Sequence, residues 1–169
     1  MHPHQPAGSA HDTVGPGRGP AEYGGLTGYA ELLYPSDGTE TLLDLCFTLL
    51  DHAHIMPYYF YMCDMIPSSE HWRLAVHEAQ RLQHDLMGYL PGFATPRIVC
   101  DVPLVGKRWV NQLTDYDREK GISYWTKNYR TALEADDAGA LTRRYEYYDP
   151  IYTLPESGQA HWRAFRARA

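Results

Sequence analysis

Ile55-Met56-Pro57-Tyr58-Tyr59-Phe60-Tyr61-Met62-Cys63 is nearly all apolar or aromatic, and Asp64 is the first charged residue after it. The run is short and lies between two helical patterns. That is how a strand buried on both faces of a parallel sheet reads. On its N-terminal side, Thr39 or Thr41 can cap a helix carrying Leu42, Leu43, Leu45, Cys46, Leu49 and Leu50. His52 and His54 close that helix near the negative end of its dipole. On the C-terminal side, Pro67-Ser68-Ser69 followed by Glu70 is a helix start signal. Trp72, Ala75, Val76, Ala79, Leu82 and Leu86 then recur at helical spacing, and Gly88 and Pro91-Gly92 stop the pattern. Arg73, His77 and His84 fall largely off that stripe, and both histidines are expected in solvent. Thr95-Pro96-Arg97-Ile98-Val99-Cys100 reads as a second strand, with Asp101 directly after it. Strand, helix and strand in this order make a βαβ unit, whose strands are parallel and whose crossover is right-handed.

Outside this unit the pattern is weaker. Met1 to Pro20 is rich in Gly, Pro and His and cannot bury enough apolar surface to offset its ordering entropy, so it is expected to be disordered. Glu22 to Leu33 suggests a short local element. Leu104 to Gln112 reads as a loop containing Gly106-Lys107-Arg108-Trp109. Ile122 to Tyr129 and Arg144 to Tyr152 have strand-like aromatic character, Thr131 to Leu141 is helical or turn-like, and the end of the chain from Gln159 is basic.

Composition narrows the class. The 169 residues suit one domain or part of a larger one, and the net charge of -6 gives no reason to expect nucleic acid. Cys46, Cys63 and Cys100 have neither disulfide-framework nor zinc-site spacing. No apolar run approaches the ~20 residues that span a bilayer, and Met1 is not followed by a signal-peptide pattern, so a cytoplasmic protein without a membrane partner is expected. His2, His4 and His11, or the pair His52 and His54, have metal-binding chemistry, but solvated or helix-end histidines are the commoner outcome.

In parallel α/β folds, function collects at the carboxyl ends of the strands. Asp64 and Asp101 each follow a strand of the same βαβ unit, which brings both carboxylates to one sheet edge. There they can bind a metal ion or a substrate ammonium, or simply cap a turn. Lys107 follows Asp101 by six residues, after a glycine. A lysine at such an edge can condense with a carbonyl when its pKa is lowered, although an isolated Gly-Lys is far more often a surface feature.

Several segments in register carry a resemblance. Pro57-Tyr58-Tyr59-Phe60-Tyr61-Met62-Cys63-Asp64 resembles the PYYxYxCD segment of the lysine 2,3-aminomutase family, radical S-adenosylmethionine enzymes that also use pyridoxal phosphate. Glu70-His71-Trp72-Arg73 resembles its EHFR, Gly92-Phe93-Ala94-Thr95-Pro96 its GYAVP, and Ile98-Val99-Cys100-Asp101-Val102-Pro103 its VVDAP-like stretch. The separation of Asp64 from Asp101 also agrees with the family's, and the likeness runs from about Thr39 to Val110.

The resemblance implies roles. Asp64 and Asp101 fall on the aspartates that hold the side-chain ammonium of lysine, Lys107 on the pyridoxal phosphate lysine, and Tyr61 on the tyrosine beside that cofactor. Two carboxylates compensate a buried ammonium, which points to a basic amino acid, lysine first and arginine as the alternative. The chain departs from the family at Leu104-Val105-Gly106, which replaces a run of glycines, and it has no CxxxCxxC motif for a [4Fe–4S] cluster. The expected fold is therefore α/β: the C-terminal portion of a partial (β/α) TIM-like barrel with a C-terminal α+β extension. Residues 1–38 form an unmatched segment, 39–103 the last barrel elements, and 104–169 the cofactor-lysine loop and extension. Cluster and S-adenosylmethionine chemistry would then need a separate N-terminal radical half. The exposed strand edges of such a fragment favour a homo-oligomer or hetero-complex. A non-catalytic truncated remnant is the alternative.

Overall fold

The computed structural model describes residues 26–32 and 38–168. Its first sheet has four strands in the order β1 (Leu26–Leu32), β2 (Ile55–Met62), β3 (Arg97–Val102), β4 (Gly106–Trp109). Strands β1, β2 and β3 are parallel, and β4 returns antiparallel to β3. The crossovers are helices α1 (Thr39–Asp51) and α2 (Val76–Met87). The expected βαβ unit is thus present, and β1-α1-β2 adds a second one before it. The disorder expected for Met1 to Pro20 lies outside the described residues.

Both helices cover the same face of this sheet. Leu42 and Cys46 from α1, with Val76, Ala79 and Leu86 from α2, form one core with Phe60, Met62, Ile98, Cys100 and Val102. The opposite face is different in kind. Tyr59 and Tyr61 alternate with the buried Phe60 and Met62 and stay half-buried. The reading of β2 as buried on both faces is therefore corrected: its aromatic residues divide between a core face and a solvated one. Tyrosine suits the second, because its ring packs while its hydroxyl meets water. Pro57 breaks the pattern further, since it lacks an N–H for the ladder. The β1–β2 register slips beside it, pairing Gly28 with Pro57 but Tyr29 with Tyr59.

Three local expectations also change. The N-cap of α1 is Gly38, with no side-chain capping bond from Thr39 or Thr41. Pro67-Ser68-Ser69 starts only a 3-10 turn at Glu70–Trp72, which leaves Trp72 exposed, and α2 begins at Val76. The Ala75 N–H donates to Glu78 Oε2 at 2.8 Å, satisfying one of the orphan donors there. Leu104 to Gln112 is not all loop. Leu104 takes a left-handed φ of 64° and Gly106 one of 80°, and this tight reversal lets β4 pair back along β3.

Gln83 fastens α2 to β3 and β4. Its Oε1 accepts from the Ile98 N–H at 2.7 Å and from Trp109 Nε1 at 3.0 Å, while its Nε2 donates to the Pro96 carbonyl at 3.1 Å. A buried amide with three partners is stable where an unpaired one would not be.

The second sheet is an antiparallel meander of β5 (Asp115–Asp117), β6 (Ile122–Trp125) and β7 (Tyr145–Tyr148). Trp125 and Tyr147 are buried, and Trp125 Nε1 donates to Ser123 Oγ at 2.9 Å. Helix α3 (Glu156–Arg166) packs beside it through Trp162, whose Nε1 donates to the Lys120 carbonyl at 2.8 Å. The overall architecture is mixed α/β with two small sheets and no closed barrel among the described residues.

Candidate functional site on the open sheet face

The face that α1 and α2 leave uncovered brings separated residues together. Strand register sets Tyr59 beside Arg97, Tyr61 beside Val99, and Asp101 beside Lys107. Residues paired across strands share a face, so Tyr59, Tyr61, Arg97, Asp101 and Lys107 form one surface. Asp101 is part of β3 rather than just beyond it, and Lys107 lies on β4 rather than in a loop. The lysine is consequently held by a ladder, directly across from the carboxylate.

Lys107 Nζ donates a hydrogen bond to the Tyr61 hydroxyl. It also lies 4.4 Å from the centre of the Tyr61 ring and 5.5 Å from that of Tyr59, which are themselves edge-to-face at 5.9 Å. A cation over two tyrosine rings is an attractive arrangement. The Tyr61 hydrogen bond pushes the Lys107 pKa up, opposed by partial burial and assisted by Tyr61, Asp101 and Tyr59 electrostatics. The lowered pKa that carbonyl condensation favours is therefore not met in this state. The amine is held protonated, with the Tyr61 hydroxyl accepting its hydrogen bond and the Asp101 carboxylate in register across the ladder.

The sign of this effect is testable. Tyr61→Phe removes the largest cause of the upward shift, so the pH at which Lys107 becomes half-reactive toward an amine-acylating reagent should move lower. Peptide-resolved labelling against pH measures it; an unchanged or raised midpoint would show that Tyr61 does not hold the ammonium form.

The remaining acid, Asp64, stands two residues beyond β2 and is exposed. Its backbone carbonyl accepts from the Ile66 N–H at 2.8 Å. Among the described residues, no hydrogen bond or ion pair joins its carboxylate to Asp101 or Lys107. Tyr61, Asp101 and Lys107 are thus gathered, and Asp64 is placed beyond the end of the neighbouring strand. Arg97 and Tyr59 were not singled out in the sequence. The signal for Tyr59 was its two-residue spacing from Tyr61; Arg97 needs the β2–β3 register to be found.

The cysteines lie elsewhere. Cys46 and Cys100 are buried in the core, and burial pushes both thiols up to about 12. Neither is poised as a thiolate ligand. No three His, Cys, Asp or Glu side chains among the described residues are grouped to hold a metal ion. No described helix is long and apolar enough to cross a membrane.

Comparison with known proteins gives a partial likeness. No family model matches the chain. It is 37% identical over 51 residues to the L-lysine 2,3-aminomutase of Methanococcus maripaludis, covering 30% of this chain and 12% of that protein. It is 29% identical over 68 residues to the L-lysine 2,3-aminomutase of Buchnera aphidicola, covering 40% of this chain and 20% of that protein. The Escherichia coli L-lysine 2,3-aminomutase is 27% identical over 67 residues, covering 40% of this chain and 19% of that protein. The chain spans a fifth or less of the length of these relatives, and the likeness supports a relationship to L-lysine 2,3-aminomutases at the level of family.

Proposed function

We propose that this chain is a lysine 2,3-aminomutase-like protein that presents the pyridoxal phosphate lysine and the substrate-tail carboxylates. The parent reaction moves the α-amino group of L-lysine to the β-carbon. The observation that carries the reading is the meeting of Lys107, Asp101 and Tyr61 on one solvated sheet face. It combines with the partial identity to L-lysine 2,3-aminomutases.

The residues fit pyridoxal phosphate. Lys107 offers an exposed primary amine, and the Tyr59 and Tyr61 rings beside it offer an aromatic surface for a planar ring. When bound, the cofactor supplies an electron-accepting ring through which an amino group can pass between neighbouring carbons. The chain's own contribution is positional. Tyr61 accepts from Lys107 Nζ and orients it, and Asp101 with Asp64 would receive the substrate's distal cation. Lysine is the substrate that this arrangement suits first; arginine or another basic amino acid would use the same two acids.

The residues do not fit a [4Fe–4S] cluster. The CxxxCxxC spacing is missing, and two of the three cysteines are sealed in the core. Cluster and S-adenosylmethionine chemistry would fall to parts of the enzyme outside these 169 residues, and co-purification with a polypeptide carrying that motif would support a split enzyme. The upward shift of the Lys107 pKa favours a second reading, a non-catalytic remnant.

One experiment separates these readings. The chain is incubated with stoichiometric pyridoxal phosphate, reduced with borohydride and mapped by peptide. Lys107 should carry the pyridoxyl group, and Lys107→Ala should lose at least about nine-tenths of it, as expected for removal of the attacking amine. Lys120 is paired with Asp117, and Lys127 is buried against Glu134, so neither competes well. Equal labelling of all three lysines, or labelling that survives Lys107→Ala, would favour the remnant.

A further inference from the structure

We propose that Arg97 anchors the phosphate monoester of a ligand whose aromatic ring lies across Tyr59 and Tyr61. This inference rests on the assignment of Lys107 as the cofactor lysine, and adds a residue that assignment does not include.

The geometry comes from the open face. Arg97 opens β3 and stands in register with Tyr59, while Lys107 stands in register with Asp101 four residues further along the same strand. Lys107 Nζ extends back over the tyrosines, to 5.5 Å from the Tyr59 ring centre. Lys107 thus reaches the two rings with its ammonium, and Arg97 stands in register with the first of them. One cation is a primary amine, and the other is a guanidinium with donors in a planar fork. A pyridine aldehyde phosphate has the matching order: carbonyl carbon, aromatic ring, phosphate. Guanidinium forks recognise phosphate oxygens through paired charge-assisted hydrogen bonds.

Arg97 is also uncommitted within the fold. It is exposed, and among the described residues its side chain makes no hydrogen bond or ion pair. Its charge nevertheless reaches the Tyr59 hydroxyl, as does that of Lys107. Most other arginines near this end of the fold are engaged. Arg108 bonds the Lys107 carbonyl and Asn128, and Arg73 is buried with its Nη2 on the Tyr148 carbonyl. Arg97 is the described guanidinium on the open face that is available to a ligand.

The test compares pyridoxal phosphate with 5′-deoxypyridoxal, which carries the same free aldehyde and ring, lacks the phosphate and has no hydroxyl to close on the aldehyde. Half-saturating concentrations for the Lys107 adduct are measured in wild type, Arg97→Gln and Arg97→Lys. Wild type should favour the phosphate form by about tenfold or more, the usual worth of a charged hydrogen-bonded pair. Arg97→Gln should erase that preference while leaving 5′-deoxypyridoxal labelling unchanged, and Arg97→Lys should restore part of it. Binding of pyridoxine 5′-phosphate, which has no aldehyde, is followed in parallel by displacement of the Tyr fluorescence signal. It should weaken in Arg97→Gln and persist in Lys107→Ala.

Failure can be assigned. An adduct on Lys107 with the same phosphate preference in Arg97→Gln would overturn the Arg97 proposal and leave the lysine assignment standing. No adduct on Lys107 from either aldehyde would remove the lysine assignment. Retention of pyridoxine 5′-phosphate binding in Arg97→Gln would then overturn the anchor as well. Equal loss of 5′-deoxypyridoxal and pyridoxal phosphate labelling in Arg97→Gln would also overturn it, because a phosphate anchor does not act on the phosphate-free aldehyde.

Discussion

Asp149→Ala should destabilise the protein by about 3 kcal/mol, combining a lost helix cap with buried donors left unpaired. For a chain of this size that lowers the midpoint of thermal unfolding by about 6–12 °C. The reason lies at the start of α2. Asp149 Oδ1 accepts from the Val76 N–H at 2.9 Å, and Oδ2 accepts from the Tyr116 hydroxyl at 2.5 Å. The Tyr116 oxygen in turn meets the His77 backbone N–H at 3.3 Å and His77 Nδ1 at 3.1 Å. One carboxylate therefore satisfies the helix N-terminus, a half-buried phenol and, through it, a histidine that was expected in solvent. Asp149 is only 6% exposed, so alanine leaves donors without water to replace it.

The pH dependence of the same position has a definite sign. Burial pushes the Asp149 pKa up, more than its Tyr116 and Val76 hydrogen bonds pull it down. The folded protein thus binds this proton more tightly than the unfolded chain. Its stabilising contribution is full below the ordinary carboxylate range and is lost as pH rises through the raised value. Asp149→Asn has no such titration. The stability advantage of wild type over Asp149→Asn should therefore narrow as pH rises above the ordinary carboxylate range. Chemical denaturation of both proteins across acidic to neutral pH measures this; a widening gap would show that the capping bonds, not burial, dominate the charged state.

This network explains which parts of the fold were legible in the sequence. β2, α2 and β3 announce themselves because their core residues are local and periodic: Phe60 with Met62, Val76 with Ala79 and Leu86, Ile98 with Cys100. The capping of α2 by Asp149 is not periodic. Its donor and acceptor are 73 residues apart, and Asp149-Pro150 reads as an ordinary turn. Strand β4 was missed for a related reason. Gly106-Lys107-Arg108-Trp109 has almost no buried side chain to mark a strand, and it is held by backbone pairing with β3. The site divides in the same way. Asp64, Asp101, Lys107 and Tyr61 were reached through motifs in sequence order. Arg97 and Tyr59 emerge only when register sets two strands side by side.

Gly158→Ala should cost about 3 kcal/mol, the upper end of an overpacking penalty, although the same change usually stabilises a helix. On an open helix surface alanine would gain up to about 1 kcal/mol over glycine. Here the space decides the sign. A Cβ at Gly158 would stand 1.9 Å from the Glu119 carbonyl oxygen and 3.1 Å from its carbon, both backbone atoms that no rotamer change can clear. Either α3 lifts or the turn between β5 and β6 moves. Lifting α3 breaks the Trp162 bond to the Lys120 carbonyl and separates Trp162 from Tyr148, whose rings meet edge-to-face at 5.7 Å. Moving the turn disturbs Gly121, where Leu154 already packs so closely that a Cβ would meet it at 2.5 Å. The loss should therefore appear as a lowered unfolding midpoint with increased amide exchange in both α3 and the β5–β6 turn. Gly92→Ala is the control: nothing lies within 4 Å of its Cβ position, and its effect should stay within about 0.5 kcal/mol. If Gly158→Ala were as stable as wild type, α3 would not be docked on the Glu119 backbone, and the second sheet would have to hold together without it.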